Sequence, residues 1–238
     1  MQVRPLSAVP KRVLLLLAIG LSAQLGWHFS HPPLPPVAAN LPQPPTLATL
    51  QLASFGEPIA LSKMLLLYLQ NFDDQPGVNA PFWHLDYPRI TTWLGLTLQL
   101  DPPGQYPLFL ASEVYGDIRD QAKQRLMFEF VYHQFFINPN QRWRALAYAA
   151  IKAKHQLNDL PLAHRYAEAI RLNATAPEVP DWAKQMDIFI LEDMGQYDNA
   201  LSLLDALIQS GQVSNRGELE LLQGRRDSIA AKVNRPKL

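Results

Sequence analysis

Apolar positions recur along most of this chain at three- and four-residue intervals. The runs IALSKMLLLYLQ (Ile59–Gln70), YPRITTWLGLTLQL (Tyr87–Leu100), RDQAKQRLMFEFVYHQFF (Arg119–Phe136) and NALSLLDALI (Asn199–Ile208) keep that spacing. It is the period of an amphipathic α-helix, and no comparable stretch alternates as a half-buried strand does. Breakers separate the runs: DDQPGVNAP from Asp73, DPPGQYP from Asp101, NPN from Asn138 and ATAPEVP from Ala174. The pattern predicts an all-α body over 46–238, in which helices joined by short turns pack as antiparallel hairpins. A last helix is expected at about 217–233, with Leu219, Leu222, Ile229 and Val233 on one side and Arg225, Arg226 and Lys232 around it.

The first 45 residues follow another rule. VLLLLAIGLSAQLGWHF, Val13–Phe29, is a 17-residue run without formal charge. At about 1.5 Å per helical residue it lies near the lower limit for crossing a bilayer, with Trp27 placed as an interfacial anchor. Arg4, Lys11 and Arg12 precede it, and no Lys or Arg follows before Lys63. The positive flank predicts a cytoplasmic segment over 1–12, a single-pass inner-membrane anchor over 13–29, and a periplasmic or extracytoplasmic remainder. A cleaved signal peptide would share these features, with Leu21-Ser22-Ala23 as a passable processing site. The apolar run continues through Leu25, Trp27 and Phe29, which favours an uncleaved anchor. Residues 30–45 hold seven prolines and read as a semi-rigid linker; a PxxP ligand is the sharper alternative.

Several joints invite superposition on one another. Gly195-Gln196-Tyr197-Asp198-Asn199-Ala200 closes one helix, DWAKQMDIFILEDM, and opens the next, ALSLLDALIQS. The glycine suits a left-handed helix end and the alanine a close helix approach. Over residues 181–214 the chain resembles the tetratricopeptide repeat superfamily, with Gly195, Tyr197, Ala200, Leu204 and Ile208 on matching positions of the 34-residue pattern. Tyr87, Ile90, Leu94, Leu98 and Leu100-Asp101-Pro102 are similar to that family's second-helix ending, and in NDLPLAHRYAEAI Ala163 takes the place of Ala200. Lys184 stands where the family has a large Trp, and no closing proline follows Ser210. The resemblance implies a solenoid of stacked helical hairpins, of the kind bacteria carry on membrane anchors. Such hairpins bury their apolar stripes only against neighbours, and a polar last helix caps the stack.

Charge and composition narrow the function. Setting aside the three N-terminal cations, 18 of the 21 basic residues face 21 acidic ones from Glu57 onward, a net −3. That is a poor footprint for nucleic acid. No cysteine is present, which excludes thiol chemistry, disulfides and Cys-ligated metals. Walker, G-x-S-x-G, G-x-G-x-x-G and H-E-x-x-H signatures are absent. Glu129 and His133 stand four apart, two metal ligands without a third, and the pairs Asp73-Asp74 and Glu192-Asp193 read as surface acids at helix ends.

QRWRALAYAAIKAKH, Gln141–His155, interleaves basic and aromatic residues, and Tyr148, Lys152 and His155 share a helical face. The tetratricopeptide resemblance puts these three on a concave groove, joined in the next unit by Trp182, Gln185, Phe189 and Glu192. Together they would form a trough for an extended or helical peptide. The expectation is a non-enzymatic, cofactor-free scaffold for a protein or peptide partner in the bacterial cell envelope. A cell-wall hydrolase built on a helical domain, and a structural subunit assembling through Val13–Phe29, are the alternatives.

Overall fold

Aspartates and prolines mark where the helices begin. In the computed structural model, which describes residues 10–31, 39–73, 75, 81–211, 213 and 216–233, Asp86, Asp120 and Asp159 each accept a hydrogen bond from backbone N–H groups of the helix they precede. Prolines occupy the first turn of five helices, where a missing N–H costs nothing. Residues 1–9 of the expected cytoplasmic segment, 32–38 of the linker, and 74 and 76–80 of the first breaker lie outside the described residues.

The chain divides into two units, 1–38 with 76–79, and 39–75 with 80–238. The first contains helix α1, Lys11–Ser30, which spans the expected 13–29. It is long and apolar enough to cross a membrane, and none of its residues is buried.

The second unit is helical, with no strand among the described residues. It begins with α2 (Leu47–Ala53), α3 (Pro58–Gln70) and α4 (Tyr87–Leu100). A short α5, Tyr106–Phe109, runs into a π-helical turn at Leu110–Val114 and leads to α6, Gln121–Phe135. Then come α7 (Pro139–His155), α8 (Leu160–Asn173), α9 (Asp181–Lys184), α10 (Met186–Asp193), α11 (Tyr197–Gln209) and α12 (Arg216–Val233). The expected run from Arg119 starts at Gln121 because Asp120 caps it. The expected helix from Asp181 is broken at Gln185, and just past the break Asp187 is buried in an ion pair with Arg171 of α8.

The substantial packing lies between helices adjacent, or next but one, in the chain: α3 on α4, α6 on α7, α7 on α8, α8 on α10, α10 on α11 and α11 on α12. Many of the side-chain bonds between elements fall at similar lengths of chain. Ser62 donates to the Thr97 carbonyl 35 residues on, Gln70 to the Tyr106 hydroxyl 36 on, and Tyr166 to Glu129 37 back. Arg125 pairs with Asp159 across 34 residues, Lys152 donates to the Ser112 carbonyl across 40, and Gln185 to Glu218 across 33. These distances are the length of one helix-turn-helix.

One apolar core runs from Leu41 to Ile190, and a second, with Ile188, Leu191, Ala200, Leu204, Leu222 and Ile229, lies beneath α12. Ala163 and Ala200 are fully buried. At the joint before α6 the close approach belongs to Gly116, where a Cβ would lie 2.7 Å from the Ala111 carbonyl oxygen and 2.8 Å from the Phe128 ring. Gly195 has φ +71°, and the backbone closes α10 with Gln196 N–H donating to the Leu191 carbonyl and Gly195 N–H to that of Glu192. That is the Schellman arrangement, and it fulfils the expectation for Gly195.

Arg142 is 2% exposed, yet it faces carbonyls rather than a carboxylate. Its guanidinium donates to the Gln134 carbonyl (2.8 Å) and side-chain oxygen (3.0 Å), and to the Pro102 carbonyl (2.9 Å). Both carbonyls lie at or just past helix C-termini, where the partial negative charge of the peptide dipoles suits a cation. Burial lowers the guanidinium pKa.

Candidate functional site

The seven residues expected to line a groove come from α7, α9, α10 and the break between the last two, and the structure divides them. Tyr148 and His155 of α7 and Trp182 of α9 are exposed, and Phe189 of α10 is half-buried. Lys152 is directed to the preceding segment: it donates to the Ser112 and Glu113 carbonyls and lies 3.6 Å from the Glu113 carboxylate and 3.8 Å from that of Asp117. Gln185 is buried and donates to Glu218 at 2.9 Å. Glu192 accepts from Lys232 and Arg225 of α12, each at 2.6 Å. The Lys232 hydrogen bond, and then Arg225, hold its carboxyl below the usual carboxylate range.

His155, Trp182 and Phe189 line one cleft, about 260 Å³, between α7 and α9–α10. Ile151 and Lys154 complete the α7 wall, and Ala150, Met186 and Ile190 form the floor. Trp182 stands edge-on to buried Trp143 at 5.5 Å between ring centroids, and the Arg144 guanidinium lies 5.3 Å from the Trp143 ring. The half-exposed indole is thereby a braced apolar platform. Phe189 is braced from the other side by the Arg225 guanidinium, 4.1 Å from its ring centroid. An ion pair between Lys154 and Asp193 ties α7 to α10.

The wall is therefore aromatic and apolar, with His155 and Lys154 as its polar groups, and it suits side chains of an extended or helical segment more than a highly charged ligand. Reading the sequence alone missed Ile151, Lys154, Met186 and Ile190 as cleft residues, and Arg225 as the brace on Phe189. The 33-residue step that links Gln185 to Glu218 also links Glu192 to Arg225. Tracking residue pairs about 33 positions apart was the signal that could have found the latter.

The other chemical candidates are accounted for as follows. Glu129 accepts from Tyr166 at 2.7 Å and pairs with Arg165, and no group of three His, Asp or Glu residues able to hold a metal occurs among the described residues. Asp193 is paired with Lys154, while Asp74 lies outside the described residues. Asp73 accepts the Tyr115 hydroxyl at 2.9 and 3.1 Å, and burial pushes its carboxyl up to about 6. Burial, followed by the Asp73 charge, raises the Tyr115 pKa in turn.

No protein-family model, curated protein or solved structure matches the chain.

Proposed function

We propose that this protein is a membrane-anchored, tetratricopeptide-like scaffold of the bacterial cell envelope. In this reading α1 is a single-pass anchor with a cytoplasmic N-terminus. The helical body is a solenoid on the extracytoplasmic side, and a protein or peptide partner docks between α7 and α9–α10. The scaffold is non-catalytic and needs no cofactor.

The observation that carries the proposal is the recurring step of 33 to 40 residues between bonded side chains. A stack of like hairpins joins each helix to its counterpart one unit away and so produces such a step, whereas a bundle closed on itself would also bond first elements to last. The braced rings of Trp182 and Phe189 supply the apolar anchors that peptide grooves use. Glycoside hydrolysis would need two carboxylates converging on a cleft. The cleft between α7 and α9–α10 has no carboxylate on its wall.

A photo-cross-linking amino acid in place of Tyr148, with Leu172 of α8 as an equally exposed control, tests the docking site in the native envelope. An adduct formed from position 148, absent from 172 and lost in a Trp182→Ala background, is the expected result. Equal adducts from both positions, or an adduct indifferent to Trp182→Ala, would overturn the groove. Resistance of the full chain to alkaline extraction tests the anchor separately.

A further inference from the structure

We propose that the elbow between α2 and α3 rests in the lipid interface, so that the helical body touches the bilayer as well as being tethered to it. The inference rests on α1 being a membrane anchor. α3 is apolar all round: Ser62, Leu66 and Leu69 face inward, and the opposite side exposes Ile59, Met64, Leu67 and Tyr68, with Lys63 as its only charge. A helix apolar on every side belongs in a core or in lipid, yet half of this one is uncovered. Its 13 residues make about 20 Å of helix, too short to cross a bilayer and within the range of interfacial segments.

The elbow itself points the same way. α2 and α3 meet at 111°, and together they are long and apolar enough to form a broken or re-entrant membrane segment. At the corner Phe55 is 95% exposed and Leu52 81%. Phe55 sits at φ +50° and Gly56 at +90°, so the chain holds a bulky ring in the left-handed region at the point where it meets solvent.

Lipid fits this surface better than a protein does. Between Arg12 and Lys63 the sole charged residue is Glu57, so the patch offers a polar partner little complementary charge. Lys63 has the reach to extend toward headgroups from an apolar helix, and Tyr68 is the kind of ring found at membrane interfaces. The 16 residues from His31 to Thr46 can span at most about 55 Å, which keeps the elbow within reach of a bilayer holding α1. The far end of the chain is different: α12 exposes Arg216, Glu220 and Asp227. With Lys63 as its one basic residue the contact is chiefly hydrophobic, and zwitterionic lipid suffices.

The lack of cysteine makes single-site labelling clean. Full-length chains carrying Leu17→Cys, Gln51→Cys or Leu221→Cys, each labelled with an environment-sensitive fluorophore, are reconstituted in phosphatidylcholine vesicles. Quenching by aqueous iodide is then compared with quenching by spin-labelled lipid. The expected result is that the probes at 17 and 51 lose most of their iodide quenching and are quenched from the lipid, while the probe at 221 on α12 stays open to iodide. Adding Leu52→Asp and Phe55→Asp should return only the probe at 51 to water. A probe at 51 as open to iodide as that at 221, with 17 still in lipid, would overturn the elbow and leave the anchor standing. A probe at 17 in water would overturn both, and a probe at 51 shielded from iodide and lipid alike would mark a protein contact and overturn the lipid assignment.

Discussion

Exchanging Asp73 for Asn removes a charge that the fold holds poorly and keeps an acceptor for the Tyr115 hydroxyl. Burial raises the carboxyl from 3.8 to about 6, and the Tyr115 hydrogen bond only partly opposes it. A folded pKa above the unfolded one means that the native state binds the proton more tightly. The group's contribution is then complete below about pH 4, declines as pH rises toward 6, and stays low beyond. A shift of about two units corresponds to about 3 kcal/mol at about 1.4 kcal/mol per unit. The carboxylate is only partly buried, so screening by water reduces the expected penalty to about 1–2 kcal/mol. Full-length wild type and Asp73→Asn, held in a neutral detergent and unfolded with urea under tryptophan fluorescence, provide the measurement. The variant should be more stable by about 1–2 kcal/mol at pH 8 and show no gain at pH 4. An equal difference at both pH values, or a variant weaker at pH 8, would refute the reasoning, because the ionised carboxylate would then be comfortably solvated or bonded.

Other substitutions probe the joints. Glu192→Gln breaks the contacts that hold Lys232 and Arg225, and should cost about 1–2 kcal/mol at neutral pH, read as faster amide exchange in α12. The Glu192 carboxyl is held below its ordinary value, so the stability it contributes is present above the unfolded pKa and disappears as pH falls through the folded one. Gly116→Ala drives a methyl into a backbone carbonyl and should destabilise by about 1–3 kcal/mol in chemical denaturation, whereas Gly195→Ala, with open space but φ +71°, should cost about 1 kcal/mol. Arg142→Lys replaces a planar fork, whose two terminal nitrogens serve carbonyls of different segments, with a single ammonium and should cost about 1–3 kcal/mol, measured as a lowered urea midpoint.

Local signals in the chain were legible where local physics decides. The bounds of α4 follow from Asp86, Pro88 and the breaker at Asp101, and the turn at Gly195 follows from its freedom in φ. α12 begins within a residue of its expected start because its apolar positions recur at helical spacing. The break at Gln185 was hidden: nothing in DWAKQMDIFILEDM marks it, and it goes with a pairing of Asp187 to Arg171, 16 residues earlier. The cleft was half visible for the same reason. His155, Trp182 and Phe189 line the cleft, while Lys152, Gln185 and Glu192 are engaged by partners 33 to 40 residues away. A side chain's direction along a helix can be read from spacing, but the charge that waits for it on another helix cannot.

The step of one hairpin between bonded side chains also shapes how the body comes apart. No bond named here links the first helices of the body to α12, so tension or denaturant applied at the C-terminus has nothing to break but the next interface. Unfolding should proceed as fraying, α12 first and then the α10–α11 pair, while the segments around Trp93 and Phe128 keep their structure. Nearby links also shorten the search for the native state, since each hairpin closes against a neighbour made only moments earlier in the chain.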